Sequence, residues 1–165
     1  MKNKTFLILF IVTVFFSTVS AYAQTKENPP IINFAYAQEN IRQGEIWKIY
    51  LSVNDPTGKM SSIVCRIDQD GGIRHRPSML YLKRGMQNGF TGYFAFPTSD
   101  ASAGNLWGED WVLQFTFVDR GGNAMKTLEF PLKFDGGGQI KPLPSDLEKA
   151  LNQRLGTIDV EFVGD

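Results

Sequence analysis

The sequence predicts an all-β protein, a two-layered antiparallel sandwich of seven strands, and three features carry that expectation. Apolar and polar residues alternate with a period of two in one segment after another. The segments are separated at short intervals by Gly, Pro, Asp and Asn. Aromatic side chains (13 Phe, 5 Tyr and 3 Trp in 165 residues) supply the apolar area that a core between two sheets needs.

Asp110 to Phe134, DWVLQFTFVDRGGNAMKTLEFPLKF, is the clearest unit. Trp111, Leu113, Phe115 and Phe117 alternate with Val112, Gln114, Thr116 and Val118. After a turn, Leu128, Phe130, Leu132 and Phe134 alternate with Thr127, Glu129, Pro131 and Lys133. Between the two runs, Asp119-Arg120-Gly121-Gly122-Asn123 offers glycine for positive φ, and Asp and Asn side chains that bond their own backbone. This is a hairpin with one aromatic face. A lone hairpin is marginal in water, so that face requires a second layer.

The rest of the chain should provide it. Residues 1–23 carry two lysines, an apolar run from Phe6 to Phe16 and small residues ending in Ala21-Tyr22-Ala23. That is the layout of a secretory signal peptide, cleaved before Gln24. The apolar run is short for a membrane span of ~20 residues, and no cysteine follows the cleavage region to take a lipid. Residues 24–30 are a polar lead-in, and the sandwich is expected over residues 31–134.

Ile31 to Ala37 is the first candidate strand. Glu45 to Asn54 is the second and central one, with Trp47, Ile49, Leu51 and Val53 on one face and Lys48, Tyr50 and Ser52 on the other; Asp55-Pro56-Thr57-Gly58 then turns the chain. Met60 to Asp68 directs Ile63, Cys65 and Ile67 inward. Gln69 to Pro77 reads equally as a loop or a short edge strand. Ser78 to Lys83 sets Leu80 and Leu82 against Met79, Tyr81 and Lys83. Phe90 to Phe96 sets Phe90, Phe94 and Phe96 against Thr91, Tyr93 and Ala95, and Pro97 stops it. Ser99 to Gly108 is a surface loop before the hairpin.

The run Gly44 to Asn54 ending in Asp55-Pro56-x-Gly58, the segment FTGYFAFP, and Asp119-x-x-Gly122-Asn123 after an aromatic strand resemble the bacterial immunoglobulin-like domains of exported proteins. In that family a similar turn follows the second strand and a D-x-x-G-N turn joins the last two. The resemblance covers Ile31 to Phe134 and implies a seven-stranded immunoglobulin-like sandwich with a binding or spacer role. The chain departs from antibody-type domains in having no cysteine pair: Cys65 is alone, so no internal disulfide forms.

Composition changes after Phe134. Residues 135–144 form a Gly/Pro linker, flexible at Gly136-Gly137-Gly138 and stiff at Pro142-Leu143-Pro144. In the tail, residues 145–165, Ser145 and Glu148 match a capping box, Leu147, Leu151 and Leu155 recur at spacing four, and Gly156 sits where a C-terminal cap belongs. A short amphipathic helix over Asp146 to Leu155 is expected, stable only if its leucines dock on something. Thr157 to Val163 alternates Ile158, Val160 and Phe162 with Asp159 and Glu161. This strand-like end is suited to a sheet edge of its own chain or of a partner.

Groups able to do chemistry are few. His75 is the only histidine, and it lies between Arg74 and Arg76 in what reads as a solvated basic loop, without an orienting partner for general-base work. Cys65 falls on the inward parity of its strand, the setting of an inert thiol. Asp55, Asp119 and Asn123 offer oxygens of the kind that bind Ca²⁺, but tight turns demand the same residues and a calcium site wants more carboxylates. The chain has 17 basic and 17 acidic residues, and loss of Lys2 and Lys4 with the leader leaves a net charge of about −2. Such a chain has no electrostatic claim on nucleic acid.

Tyr50, Tyr81 and Tyr93 remain, on the outward parity of the second, fourth and fifth strands, which an immunoglobulin-like order makes neighbours. Their rings form either a platform for a partner or glycan, or the seat of the chain's own helix through Leu147, Leu151 and Leu155. Self-docking is preferred because the Gly-rich joint gives the tail reach; the face bearing Val64, Val112 and Val118 is the rival seat. The expected protein is exported, periplasmic or extracellular. It is a non-enzymatic binding or assembly module without cofactor or membrane span in its mature chain, and its partner is another protein or its own tail. The alternative is a carbohydrate-binding accessory domain that uses exposed tyrosines or Trp107, helped by calcium.

Overall fold

Alternation with a period of two makes strands here, and the inward residues of those strands meet in one core. The computed structural model describes residues 28–69, 71–72, 74–98, 110–135 and 152–160, and every helix-or-strand element within them is a strand. Residues 1–23, expected to be a signal peptide, and Trp107, Leu147 and Leu151 lie outside the described residues. All seven expected segments are strands: β1 (Ile31–Ala37), β3 (Ile46–Asn54), β4 (Met60–Gln69), β5 (Ser78–Tyr81), β6 (Gly89–Pro97), β7 (Asp110–Asp119) and β8 (Ala124–Phe134). Two short ones join them, β2 (Asn40–Ile41) and β9 (Arg154–Thr157).

They form two sheets, one of four strands in the order β1-β3-β6-β9 and one of five in the order β2-β8-β7-β4-β5. The antiparallel expectation holds for the seven long segments. Both added strands pair parallel, β2 with β8 and β9 with β6.

The core lies between the sheets. Trp47, Phe96, Ile49 and Leu51 from the four-stranded sheet and Trp111, Phe115, Phe117, Phe134 and Ile63 from the five-stranded one are fully buried. Rings meet across the gap, Phe94 against Phe115 at 5.4 Å and Phe90 against Phe117 at 6.4 Å between centroids. Each buried aromatic of this size contributes a few kcal/mol. The β7–β8 hairpin closes as its turn residues predict. Asp119 accepts hydrogen bonds from the Asn123 amide (2.8 Å) and side chain (3.0 Å), and Gly122 takes φ +82°.

The tail departs from expectation. Arg154 and Leu155 lie on strand β9, so a helix does not extend through them, and Gly156 is a strand residue and not a helix cap. Asn152 and Gln153 are not helical either, and the remainder of the expected helix, 146–151, lies outside the described residues. The reason is visible at β6. Leu155, Ile158 and Val160 are buried in the core, and the backbone of the segment is satisfied by β6: the Tyr93 amide donates to Gln153 O (2.8 Å) and the Ile158 amide to Ala95 O (2.8 Å). A glycine makes room. A Cβ on Gly92 would run into the Gln153 carbonyl and Leu155, whereas one on Gly156 would reach the Phe94 ring at 3.4 Å, about ordinary contact.

Candidate functional site

The outward face of the four-stranded sheet gathers four of the five described aromatic side chains that are not buried in the core. Register places Tyr36 opposite Tyr50, Tyr50 opposite Tyr93 and Tyr93 opposite Arg154, so one row crosses all four strands. Centroids are 6.4 Å apart for Tyr36–Tyr50, whose rings are near parallel, and 5.8 Å for Tyr50–Tyr93, whose planes tilt by 53°. Phe34 extends the cluster, 6.5 Å from Tyr36. All four are half-buried. Directly opposed and diagonal neighbours on one sheet face lie within reach of aromatic rings, so the row also supports the pairing of its strands.

Polar groups complete the face. In the adjacent row Ser52 and Thr91 share a hydrogen bond of 2.9 Å between their hydroxyls. Lys48 Nζ stands 5.0 Å from the Tyr93 centroid, a cation over the negative face of the ring. Arg154 donates to Thr157 Oγ1 at 2.7 Å, and both Lys48 and Arg154 are exposed. No strand of this sheet contains an Asp or Glu at any position. Burial, and then the phenols of Tyr93 and Tyr36, raise the Tyr50 pKa above its ordinary value. Tyr50 therefore keeps its hydroxyl proton at neutral pH and remains a donor.

Of the residues expected at this site, Tyr50 and Tyr93 are brought together and Tyr81 is not. Tyr81 lies on β5 at the edge of the five-stranded sheet, 80% exposed, because β5 pairs with β4 and does not cross to the other layer. Leu155 is on the inner side of its sheet, beneath Gly92, and does not seat a helix on the tyrosines. Leu147 and Leu151 lie outside the described residues. Tyr36, Phe34, Lys48 and Arg154 were missed. The alternation of Phe34 and Tyr36 within IINFAYA was the available signal, but the irregularity at Asn33 shifts register between Ile32 and Phe34.

The other candidates serve the fold. Asp55 is fully buried and accepts four hydrogen bonds within its own turn, from the Thr57 amide (2.9 Å) and hydroxyl (2.6 Å) and from the Lys59 (2.8 Å) and Met60 (3.0 Å) amides. Burial alone would raise its pKa, but those four donors outweigh it and hold the carboxyl below its usual value. No three His, Cys, Asp or Glu among the described residues gather as a metal-binding group. His75 is not solvated as expected: it is buried, its ring 5.6 Å from that of Trp111 and its Nε2 3.1 Å from Gln69 Oε1, and burial lowers its pKa. Cys65 is buried and its pKa is pushed up by that burial. No described helix is long and apolar enough to cross a membrane. Compared with known proteins, the chain matches no family model and no curated protein sequence.

Proposed function

We propose that this chain is an exported, non-enzymatic binding or assembly module with an immunoglobulin-like fold, and that its contact surface is the outward face of the four-stranded sheet. The observation that carries the reading is the row Tyr36–Tyr50–Tyr93, half-exposed on a face that also bears Lys48 and Arg154. Tyrosine suits contacts that are apolar on the ring and wet at the hydroxyl. The fold reading is supported by strand order. The first, second and fifth long strands share one sheet and the seventh, sixth, third and fourth the other, as the A-B-E and G-F-C-C′ strands do in immunoglobulin-like sandwiches. Export rests on the leader-like residues 1–23.

A photo-crosslinking residue placed at Tyr50, and separately at Glu129 on the outward face of the other sheet, tests the surface in intact cells. Adducts formed from position 50 alone are expected. Adducts equal at both positions, or none, would overturn the reading. Mass spectrometry of the chain recovered from the cell envelope should find Gln24 as its first residue.

A further inference from the structure

The chemistry of the aromatic face narrows what it takes. Three kinds of group are concentrated there: half-exposed rings (Phe34, Tyr36, Tyr50, Tyr93), hydroxyls (the three phenols with Ser52 and Thr91) and two exposed cations, Lys48 and Arg154. What its strands lack is equally specific, since none carries a carboxylate. The whole chain is balanced in charge, with 17 residues of each sign, whereas the two charged residues on these strands, Lys48 and Arg154, are both cations; the exposed Asp159 lies just beyond β9. Rings offer apolar contact to the C–H patches of a sugar ring, hydroxyls exchange hydrogen bonds with sugar hydroxyls, and ammonium and guanidinium groups pair with carboxylates.

We propose that this face binds a carboxylated polysaccharide, a chain of pyranose units bearing uronate groups, laid along the row from Tyr36 to Tyr93 with its carboxylates on Lys48 and Arg154. The inference rests on the reading of this face as the contact surface and goes further by assigning the ligand's class and charge. The cations are placed for it. Arg154 ends the row directly opposite Tyr93, and Lys48 sits over the Tyr93 ring, so charge and aromatic surface converge on one residue. The tail strand thus has a second role: β9 brings Arg154 to the row while its Leu155 fills the core.

The test is equilibrium binding of the purified full mature chain to polygalacturonate, to the same polymer fully methyl-esterified, and to polyglutamate. Polygalacturonate should bind, more weakly as salt rises, and the other two at least about tenfold more weakly. Tyr50→Ala should weaken binding about tenfold, the scale of an aromatic hot spot. Lys48→Gln and Arg154→Gln should weaken it and flatten the salt dependence, and Thr127→Ala on the other sheet should leave it unchanged. Equal binding of the ester would overturn the charge assignment, and equal binding of polyglutamate would overturn the carbohydrate assignment. No binding to any of the three would overturn both, while adducts from position 50 in cells would still uphold the contact surface. Lys48 and Arg154 are exposed, so their variants carry the test even if Tyr50→Ala fails to fold.

Discussion

The two sheets bury one face each in the same core and use their outward faces in opposite ways. On the five-stranded sheet, outward groups answer one another across the strands. Lys133 pairs with Asp110 at 3.0 Å, Gln114 donates to Glu129 at 3.4 Å, and Thr116 and Thr127 share a hydrogen bond of 2.9 Å. On the four-stranded sheet the outward row is aromatic, its cations have no carboxylate on the same strands, and the surface is closed at one end by the chain's own β9. A face whose polar groups pair with one another across the strands has less left for a ligand, whereas a face with half-exposed rings and cations on its strands is complementary to something else. The core is common to both sheets, so stability and recognition should separate cleanly under mutation.

The largest effect belongs to the shared core. Phe115→Ala should cost about 3–5 kcal/mol in urea denaturation, since the side chain is fully buried and its loss leaves a cavity. Phe94→Ala, from the opposite sheet, should cost a similar amount. Because the two rings touch across the gap, the double variant should lose less than the two single losses added together. Additive losses would mean that the sheets do not pack as one unit.

Next is the seam that joins the tail to the four-stranded sheet. Gly92→Ala forces a Cβ against the Gln153 carbonyl and Leu155, an overpacking that should cost about 1–3 kcal/mol. Amide exchange should speed up at Ile158, whose amide bonds to Ala95, while the five-stranded sheet keeps its protection. Unchanged exchange at Ile158 would mean that the tail is held elsewhere.

This seam also marks where the sequence stopped being legible. The strands could be read because their inward residues, Trp47 to Val53 and Trp111 to Phe117 among them, repeat with the period of two that a half-buried strand imposes. The β7–β8 turn could be read because Asp119, Gly122 and Asn123 are required locally. Leu155 could not be placed, since the spacing of Leu147, Leu151 and Leu155 satisfies a helix, and only the open edge of β6, some sixty residues earlier, makes position 155 a strand. Tyr81 failed for a related reason. Outward parity on β5 looks the same whether the strand pairs with β4 or crosses to the other layer, and the partner is a tertiary choice. Two of the three expected tyrosines were therefore legible as parity, and the row itself, which depends on register, was not.

Acid should weaken the molecule in two windows. The folded His75 has a pKa below its ordinary 6.5, so as pH falls through that value the unfolded chain takes the proton first and stability declines until the folded pKa is passed. Asp55 acts lower. Its folded pKa lies below 3.8, so its contribution is complete above that value and is lost as pH falls through the folded pKa. The melting temperature should be level above about pH 7.5. His75→Gln should remove the first decline and leave the second. A decline near pH 6 that survives in His75→Gln would assign it to another group. His75 packs on Trp111 of the five-stranded sheet, so the first window should loosen that sheet before the aromatic face.

The smallest stability effects give the sharpest contrast, because each sheet carries one outward hydroxyl pair of the same length, Ser52–Thr91 and Thr116–Thr127, both 2.9 Å. Cross-strand pairs of this kind are worth roughly 0.2–1 kcal/mol, so Ser52→Ala and Thr116→Ala should each shift the urea midpoint slightly and about equally. Binding should tell them apart. Ser52 stands in the row beside the tyrosines, where its hydroxyl can serve a sugar, so Ser52→Ala should weaken polygalacturonate binding severalfold, as expected for one lost neutral hydrogen bond. Thr116→Ala should leave binding unchanged, since its hydroxyl faces out from the other side of the sandwich. If both variants weakened binding equally, the ligand would not distinguish the faces, and the difference between the two sheets would be one of composition without consequence for recognition.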